Sequence, residues 1–368
     1  MPPIWKIKRE LSRVAEQFHA LYEIATHPIR QPWIEKKSDK TMRISEGHSN
    51  ELDVPPQKIA LFLVYQPNGL SASTEITCRH LASQGYAVML IANHAITEKD
   101  KARMSSFVWR FIERSNHGYD FGGYKDGIRL LWQWKIDPQH LIILNDSIWF
   151  PLDSNCALIK QMEQSTEQFV GAKRHTLSGI PDHEFQGFFE SYFFLIKHST
   201  WTHPAFIHYW KNYTSTSNKY LTVRRGERGF SPAMFEAQIP SEGIFSRDRF
   251  MDVMSRQDPE MLKKTLFYGA YTEIDFENRS VQLIREFQAT AQWVQAALLL
   301  INDVVNRRNF ISSFCYPCIR LLKISLMKKN KGQLQLLMRR QFIRAVESGD
   351  LPKPDTATYQ EIQTSITE

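Results

Sequence analysis

Between residues 58 and 144 the chain alternates two kinds of apolar pattern. Short continuous runs at 58–65, 86–92, 107–113 and 140–144 are rich in β-branched and aromatic side chains, as strands buried on both faces are. The stretches 72–84 and 124–134 instead space their apolar residues at helical intervals. Strands alternating with helices predict an α/β fold: a mostly parallel sheet of the Rossmann type, flanked by helices, with ligands at the carboxyl ends of the strands. Four of those ends carry turn or polar residues: Pro67-Asn68-Gly69, Asn93-His94, the loop from Asn116, and Asn145-Asp146. One crevice should collect all four.

The loop Asn116-His117-Gly118-Tyr119-Asp120-Phe121-Gly122-Gly123-Tyr124-Lys125 holds the densest chemistry. Glycines let backbone approach a ligand, and carboxylates are the hard oxygen ligands that Mg²⁺ or Mn²⁺ prefers. This combination suggests a nucleotide-sugar enzyme. Gly118, Gly122 and Gly123 would admit a sugar diphosphate, Asp120 would accept hydrogen bonds from donor sugar hydroxyls, and Arg114 or Lys125 would neutralise phosphate. Tyr119 and Tyr124 serve equally well as platforms for sugar or base or as core. The bland alternative is a tight turn with Asp120 as helix cap.

Outside 57–275, expected to be the catalytic domain, the pattern changes. In residues 1–56, Ile7, Leu11, Val14, Phe18, Leu21 and Ala25 recur at helical steps beside Lys6, Lys8, Arg9 and Arg13, and a proline-rich, charged linker follows. From Val304 to Val346 there are ten basic residues and no acidic one; set against the formal +7 of the whole chain, this leaves −3 for the rest. A fold that bound nucleic acid would not confine its charge in this way. Apolar residues such as Phe310, Phe314, Ile324, Leu336 and Leu337 interleave with the cations, so 276–348 reads as a basic amphipathic helical segment resting on an anionic membrane. Helices docked on the catalytic domain are the alternative. Residues 349–368, rich in Pro, Thr and Gln, read as a disordered tail.

Four cysteines and no secretion signal suggest a reducing cytoplasm, and no apolar run is long enough to cross a membrane. Cys315-Tyr316-Pro317-Cys318 has redox spacing but no second cysteine pair. His175, His183, His198, His203 and His208 make no ligand set and are expected to be structural.

The order Tyr65-x-Pro67-x-Gly69, Asn93, Arg114-x-Asn116-x-Gly118-Tyr119-Asp120-Phe121-Gly122 and Leu144-Asn145-Asp146-Ser147 resembles the rhamnan synthesis protein F family. Glu190-Ser191-Tyr192-Phe193 and Glu227-Arg228-Gly229-Phe230-Ser231 extend the likeness, which covers about 57–240. It implies a GT-A-like glycosyltransferase, rhamnosyltransferase-like, acting in bacterial surface polysaccharide synthesis such as that of lipopolysaccharide O-antigen. Asn145-Asp146-Ser147 then occupies the place of the Asp-x-Asp motif, with Asp146 the one acidic ligand for a divalent cation. Tyr65, Asn93, Asn116, Asn145 and Ser147 fall on the donor side.

Inverting transfer needs a base for the acceptor hydroxyl. Glu227 is the first candidate and Glu190 the second, although the family more often has an amide at the latter place. The implied reaction moves a deoxyhexose, L-rhamnose from dTDP-L-rhamnose, onto a lipid-linked glycan, with the enzyme peripheral on the inner face of the plasma membrane. Because only one acid stands at 145–147, the alternative is a non-catalytic scaffold or specificity subunit of a polysaccharide-assembly complex.

Overall fold

A computed structural model describes residues 39–48, 55–176 and 187–367, together with Tyr22, Thr26, Trp33, Ile34 and Lys36. The amphipathic pattern from Ile7 to Ala25 and the residue His183 lie outside the described residues, apart from Tyr22. The chain forms one nine-stranded mixed sheet with helices on both faces. Its parallel centre is β2 (Lys58–Val64), β3 (Ala87–Ala92), β4 (Arg110–Glu113) and β5 (His140–Asn145), in the order β4-β3-β2-β5. The Rossmann-like pattern read from the apolar runs is therefore present. The third run is shorter than its sequence suggests, beginning at Arg110, because Phe107 and Val108 close a turn on Met104.

Beyond β5 the sheet continues through β7 (Phe169–Thr176), β9 (Phe193–Lys197) and β10 (Ser241–Phe245), while β8 (Gly187–Phe189) pairs with β7. The strand β9 is antiparallel to both β5 and β7, and β10 is parallel to β7. The ends of β7 and β10 thus open on the same edge as those of β2 to β5. At the opposite margin β1 (Arg43–Glu46) pairs antiparallel with β4. Part of the expected linker is therefore the edge strand of the sheet.

Alternation along β2 divides the core. Ile59, Leu61 and Leu63 face a layer with the helix Tyr119–Gln133 (Phe121, Tyr124, Ile128, Leu131) and the helix Pro204–Asn212. Ala60, Phe62 and Val64 belong to the other layer, which holds Cys78 and Leu81 of the helix Ala72–Ser83 and then Ala297, Leu300, Phe310, Phe314, Ile324 and Leu326. The carboxyl-terminal segment is the cover for this face of the sheet. Of the apolar residues expected to enter a bilayer, Phe310, Ile311, Phe314, Tyr316, Ile324, Leu326 and Met338 are all buried inside the protein. That corrects the membrane-lying segment: the domain at 276–348 is part of the main core, because β2 has two apolar faces and both must be covered.

The tail is also ordered. Residues Thr356–Thr364 form a helix whose Tyr359 and Ile362 join a third core with Trp149, Tyr316, Met338 and Phe342. Glu361 of that helix accepts from the Ser73 N–H (2.9 Å), the Ser73 hydroxyl (2.6 Å) and Trp149 Nε1 (3.0 Å), satisfying the amino terminus of the helix Ala72–Ser83. Cys315 and Cys318 are buried free thiols, and burial pushes Cys315 up to about 12, so neither is poised for redox chemistry.

Candidate active site

The four strand ends do converge. Asp146 follows β5, where its N–H bonds Leu63 O of β2 (3.0 Å) and its Oδ2 accepts from the Tyr65 N–H (3.1 Å) and from Gln66 Nε2 (2.9 Å). Gln66 in turn accepts from the Ser71 N–H (2.7 Å) through Oε1 and donates to Thr74 Oγ1 (2.9 Å), fixing the loop after β2 to the start of its helix. Asn145 is buried and donates to Asp120 Oδ2 (3.0 Å) while its own Oδ1 receives the Ser147 N–H and hydroxyl. Tyr65 is half exposed at the rim, edge-on to His94 with ring centroids 6.2 Å apart.

The helix carrying Asp120 starts at Tyr119, five residues earlier than the apolar period suggests. Gly118, at φ +81°, makes the turn, and Tyr119 itself sits at φ 50°, a strained position for a non-glycine residue. Gly122 and Gly123 lie inside this helix. A Cβ on Gly122 would come within 2.4 Å of His117 O, and one on Gly123 within 1.9 Å of Leu63 Cδ1. Gly123 sets the helix against Leu63 of β2 and Gly122 sets it against the His117 carbonyl and Arg114, and together they place Asp120. Arg114 is likewise buried and spent on structure, donating to Asp126 (2.6 Å), Asn93 Oδ1 (2.5 Å) and His117 O (2.6 Å). Asn93 also donates to Asn116 Oδ1 (3.0 Å), so Arg114, Asn93 and Asn116 form one scaffold under the loop. Lys125 donates to Tyr213 O (2.8 Å) and lines a different cavity with His117 and Asp126. Neither cation is placed as a phosphate ligand. Tyr119 donates to Ser217 O (3.0 Å), and Tyr124 is fully buried, so core packing wins for the latter.

Glu227 ends a π turn, Val223–Glu227, in which Gly226 packs so tightly on Phe121 that a Cβ would lie 2.5 Å from its ring. Such turns re-aim a side chain. Here the turn brings Glu227 toward Ser191, whose N–H lies 3.4 Å from its carboxylate, and into the field of Asp120. Burial, aided by Glu190, raises the Glu227 pKa. Burial together with the charges of Asp146 and Glu227 lifts Asp120 to about 6, against the Asn145 hydrogen bond.

Glu190 behaves oppositely. Burial alone would raise its pKa, but Lys173 and Lys328, each 2.5 Å away, bring it down to about 2. A carboxylate held ionised between two ammonium groups is a poor proton acceptor. Its catalytic candidacy gives way to a structural one.

Two lysines that the sequence assigned to a membrane belong here instead. The strand β6 (Ile148–Trp149), one residue beyond Asp146, pairs antiparallel with β11 (Met327–Lys328), and the Lys329 N–H bonds Ser147 O (2.8 Å). Lys328 therefore meets Glu190, and Lys329, donating to Ser73 Oγ (3.1 Å), lies within the fields of Asp146 and Glu361. Burial holds the Lys329 pKa below its ordinary value against those acids. Arg339 fixes the turn by donating to the carbonyls of Lys328 (3.0 Å) and Asn330 (2.5 Å). The one local signal was the Lys328-Lys329-Asn330-Lys331 run itself, and nothing near it in sequence names its partner.

The linkage of Asp120 is directly measurable. Its folded-state pKa is raised, so the native state holds the proton longer than the unfolded chain and stability should fall as pH rises from about 4 to about 6. Thermal melts across that window should show the decline in the parent protein and its loss in Asp120→Asn. Parallel curves for the two proteins would refute the coupling.

The fold and this crevice define an α/β protein with acidic and amide groups gathered at the carboxyl edge of a parallel sheet, under a lysine-bearing strand. The chain belongs to the rhamnan synthesis protein F family, whose profile matches residues 88–358. The match takes in the carboxyl-terminal segment and half of the tail, well past the 240 at which the quoted motifs end. It is also similar to the uncharacterized protein y4gN of Sinorhizobium fredii (strain NGR234), 26% identical over 361 residues that cover 97% of this chain and 91% of that one. The family name points to a glycosyltransferase-like role in polysaccharide biosynthesis.

Proposed function

We propose that the protein is an inverting glycosyltransferase that moves a deoxyhexose, L-rhamnose from dTDP-L-rhamnose, onto a lipid-linked surface polysaccharide at the inner face of the bacterial membrane. The observation that carries this reading is the meeting of Asp120, Asp146 and Glu227 in one crevice, next to Lys329, in a chain of this family. The Glu227 carboxylate takes the acceptor hydroxyl proton as that oxygen bonds to the anomeric carbon. The bond from that carbon to the diphosphate breaks, and the nucleoside diphosphate leaves with the electron pair. Asp120 holds donor sugar hydroxyls, Tyr65 offers its ring to the base, and Lys329 neutralises the diphosphate.

A divalent cation fits this crevice in one respect: the charge of Asp146 adds to burial in raising Asp120, and a positive charge near the two acids would relieve that repulsion. Among the described residues no three acidic, His or Cys groups cluster as a complete cage, so Asp146 would hold Mg²⁺ or Mn²⁺ with water and the diphosphate completing the shell. When bound, the ion stabilises charge on the leaving diphosphate. Membrane contact comes from the acceptor's lipid and from exposed cations such as Arg320, Lys323, Arg340 and Arg344.

A thermal-shift screen of nucleotide sugars with and without Mn²⁺, followed by hydrolysis and transfer assays, tests the proposal. Asp146→Ala should abolish transfer while the protein stays folded, since the change gives up two hydrogen bonds worth about 1 kcal/mol each. Retention of more than a tenth of the activity would sink the role given to Asp146. Binding of donors with neither hydrolysis nor transfer would favour the scaffold reading.

A further inference from the structure

A second cavity, of about 170 Å³, opens on the same edge of the sheet at the ends of β7 and β10. Lys173, Arg174 and His175 reach it from β7, Arg247 from the helix after β10, and Arg307 and Arg308 from the end of the helix Ala291–Arg307. Among the described residues three carboxylates face these groups. Glu190 meets Lys173, Asp248 lies 3.4 Å from Arg247, and Glu273 takes both Arg307 (3.3 Å) and Arg308 (2.9 Å). Among the described residues Arg307 and Arg308 share the single carboxylate of Glu273, and Lys173 shares Glu190 with Lys328, so these groups carry more positive than negative charge. Burial holds the His175 pKa below its ordinary value, with Glu190 opposing the shift and Lys173, Arg228 and Lys328 adding to it.

We propose that this cavity binds a phosphate or diphosphate group carried by the acceptor. Several guanidinium groups from separate elements converging on one concavity match phosphate oxygens, which accept paired N–H donors. Position supports the assignment to the acceptor. The strand β7 is two strands from β5 in the sheet, roughly 10 Å at the usual strand spacing, so the anion would sit beside the crevice and not within it. Lys173 joins the two places, since its partner Glu190 also holds Lys328 and acts electrostatically on Glu227. A glycan tethered to a phosphate here would lead toward Glu227. The word acceptor rests on the glycosyltransferase reading; phosphate binding by the cavity does not.

The test uses the full chain with its donor site filled by saturating nucleoside diphosphate, titrated calorimetrically with inorganic pyrophosphate and with a short-chain prenyl diphosphate. Arg307→Gln/Arg308→Gln alters two exposed side chains, and Arg247→Gln alters a third group from a different element. Each variant should bind both probes about tenfold or more weakly, the scale of one lost charge-assisted hydrogen bond, while hydrolysis of nucleotide sugar is unchanged. The KM for a glycosyl diphosphate acceptor should rise by a similar factor, with that for a neutral alkyl glycoside unaffected. Equal binding of the two probes, or tighter binding of the prenyl form, both support the site; the second identifies the source as lipid-linked. Parent-like affinity in both variants overturns the proposal, as does binding only to anionic vesicles that contain no diphosphate lipid. Absence of hydrolysis in every protein, with the loss of pyrophosphate binding intact, would remove the glycosyltransferase reading and leave a phosphate site.

Discussion

Turnover of Glu227→Gln should fall by about a hundredfold or more, the usual scale for loss of a general base, with the donor dissociation constant unchanged. The amide keeps the shape and its place against the Ser191 N–H, so the loss belongs to the proton acceptor. Glu190→Gln should do something different. It strips the charge from a buried centre that holds Lys173 and Lys328, and breaking such a pair costs about 3–5 kcal/mol. Its main effect is therefore a lower melting temperature. Because the Glu190 pKa is depressed to about 2, the stability it contributes is present above its ordinary value of 4.5 and is lost as pH falls from there toward 2. Titration calorimetry with nucleotide sugar and acid melts separate the two variants. A stable Glu190→Gln with hundredfold slower turnover, beside an active Glu227→Gln, would exchange the roles.

Truncation after Asn302 should leave no cooperatively folded protein. From the sequence, the same cut would remove only a membrane-binding appendage and spare transfer to a water-soluble acceptor. In the fold it removes Phe310, Phe314, Ile324, Leu326, Met338 and Phe342, all buried. Six such side chains at about 1.5–3 kcal/mol each are together comparable to a domain's usual net stability of about 5–15 kcal/mol. The cut also takes away β11, the partner of β6 beside Asp146, and with it Lys328 and Lys329. Circular dichroism melts and limited proteolysis of the truncated chain read the outcome. A sharp melt with parent-like protease resistance would show that the sheet stands without its cover.

Local pattern was enough for the centre of the sheet. The apolar runs that became β2, β3 and β5 are legible because a strand buried on both faces must be apolar along its length. Polar residues interrupting that rule at the strand ends marked Asp146, Asn145 and Asp120 for the same reason, and parallel strands bring their ends together without further information. The family motifs added Glu227. What each polar group does was decided by partners distant in sequence. Arg114 carries a formal charge that suits phosphate as well as it suits structure, and only its enclosure by Asp126, Asn93 and His117 settles the choice. Gly122 and Gly123 likewise declare a need for closeness without saying to what; the answer is His117 and Leu63.

The carboxyl-terminal segment is the clearest case of that division. Amphipathic spacing beside positive charge shows that an apolar face must be covered, and the same spacing serves a bilayer or a sheet. The choice was made by Ala60, Phe62 and Val64, more than two hundred residues away, whose exposed face the segment covers. In doing so it delivers Lys328 and Lys329 to the crevice through a two-residue strand, an arrangement too short and too distant to leave a periodic trace in the sequence. Sequence alone determined the α/β class, the parallel strands and the acidic and amide groups at their ends, because these follow from neighbours along the chain. Tertiary structure alone decided which cations lie beside the acids at the strand ends, which carboxylate is held between two lysines and what the basic segment covers, because electrostatic environment and burial are properties of neighbours in space.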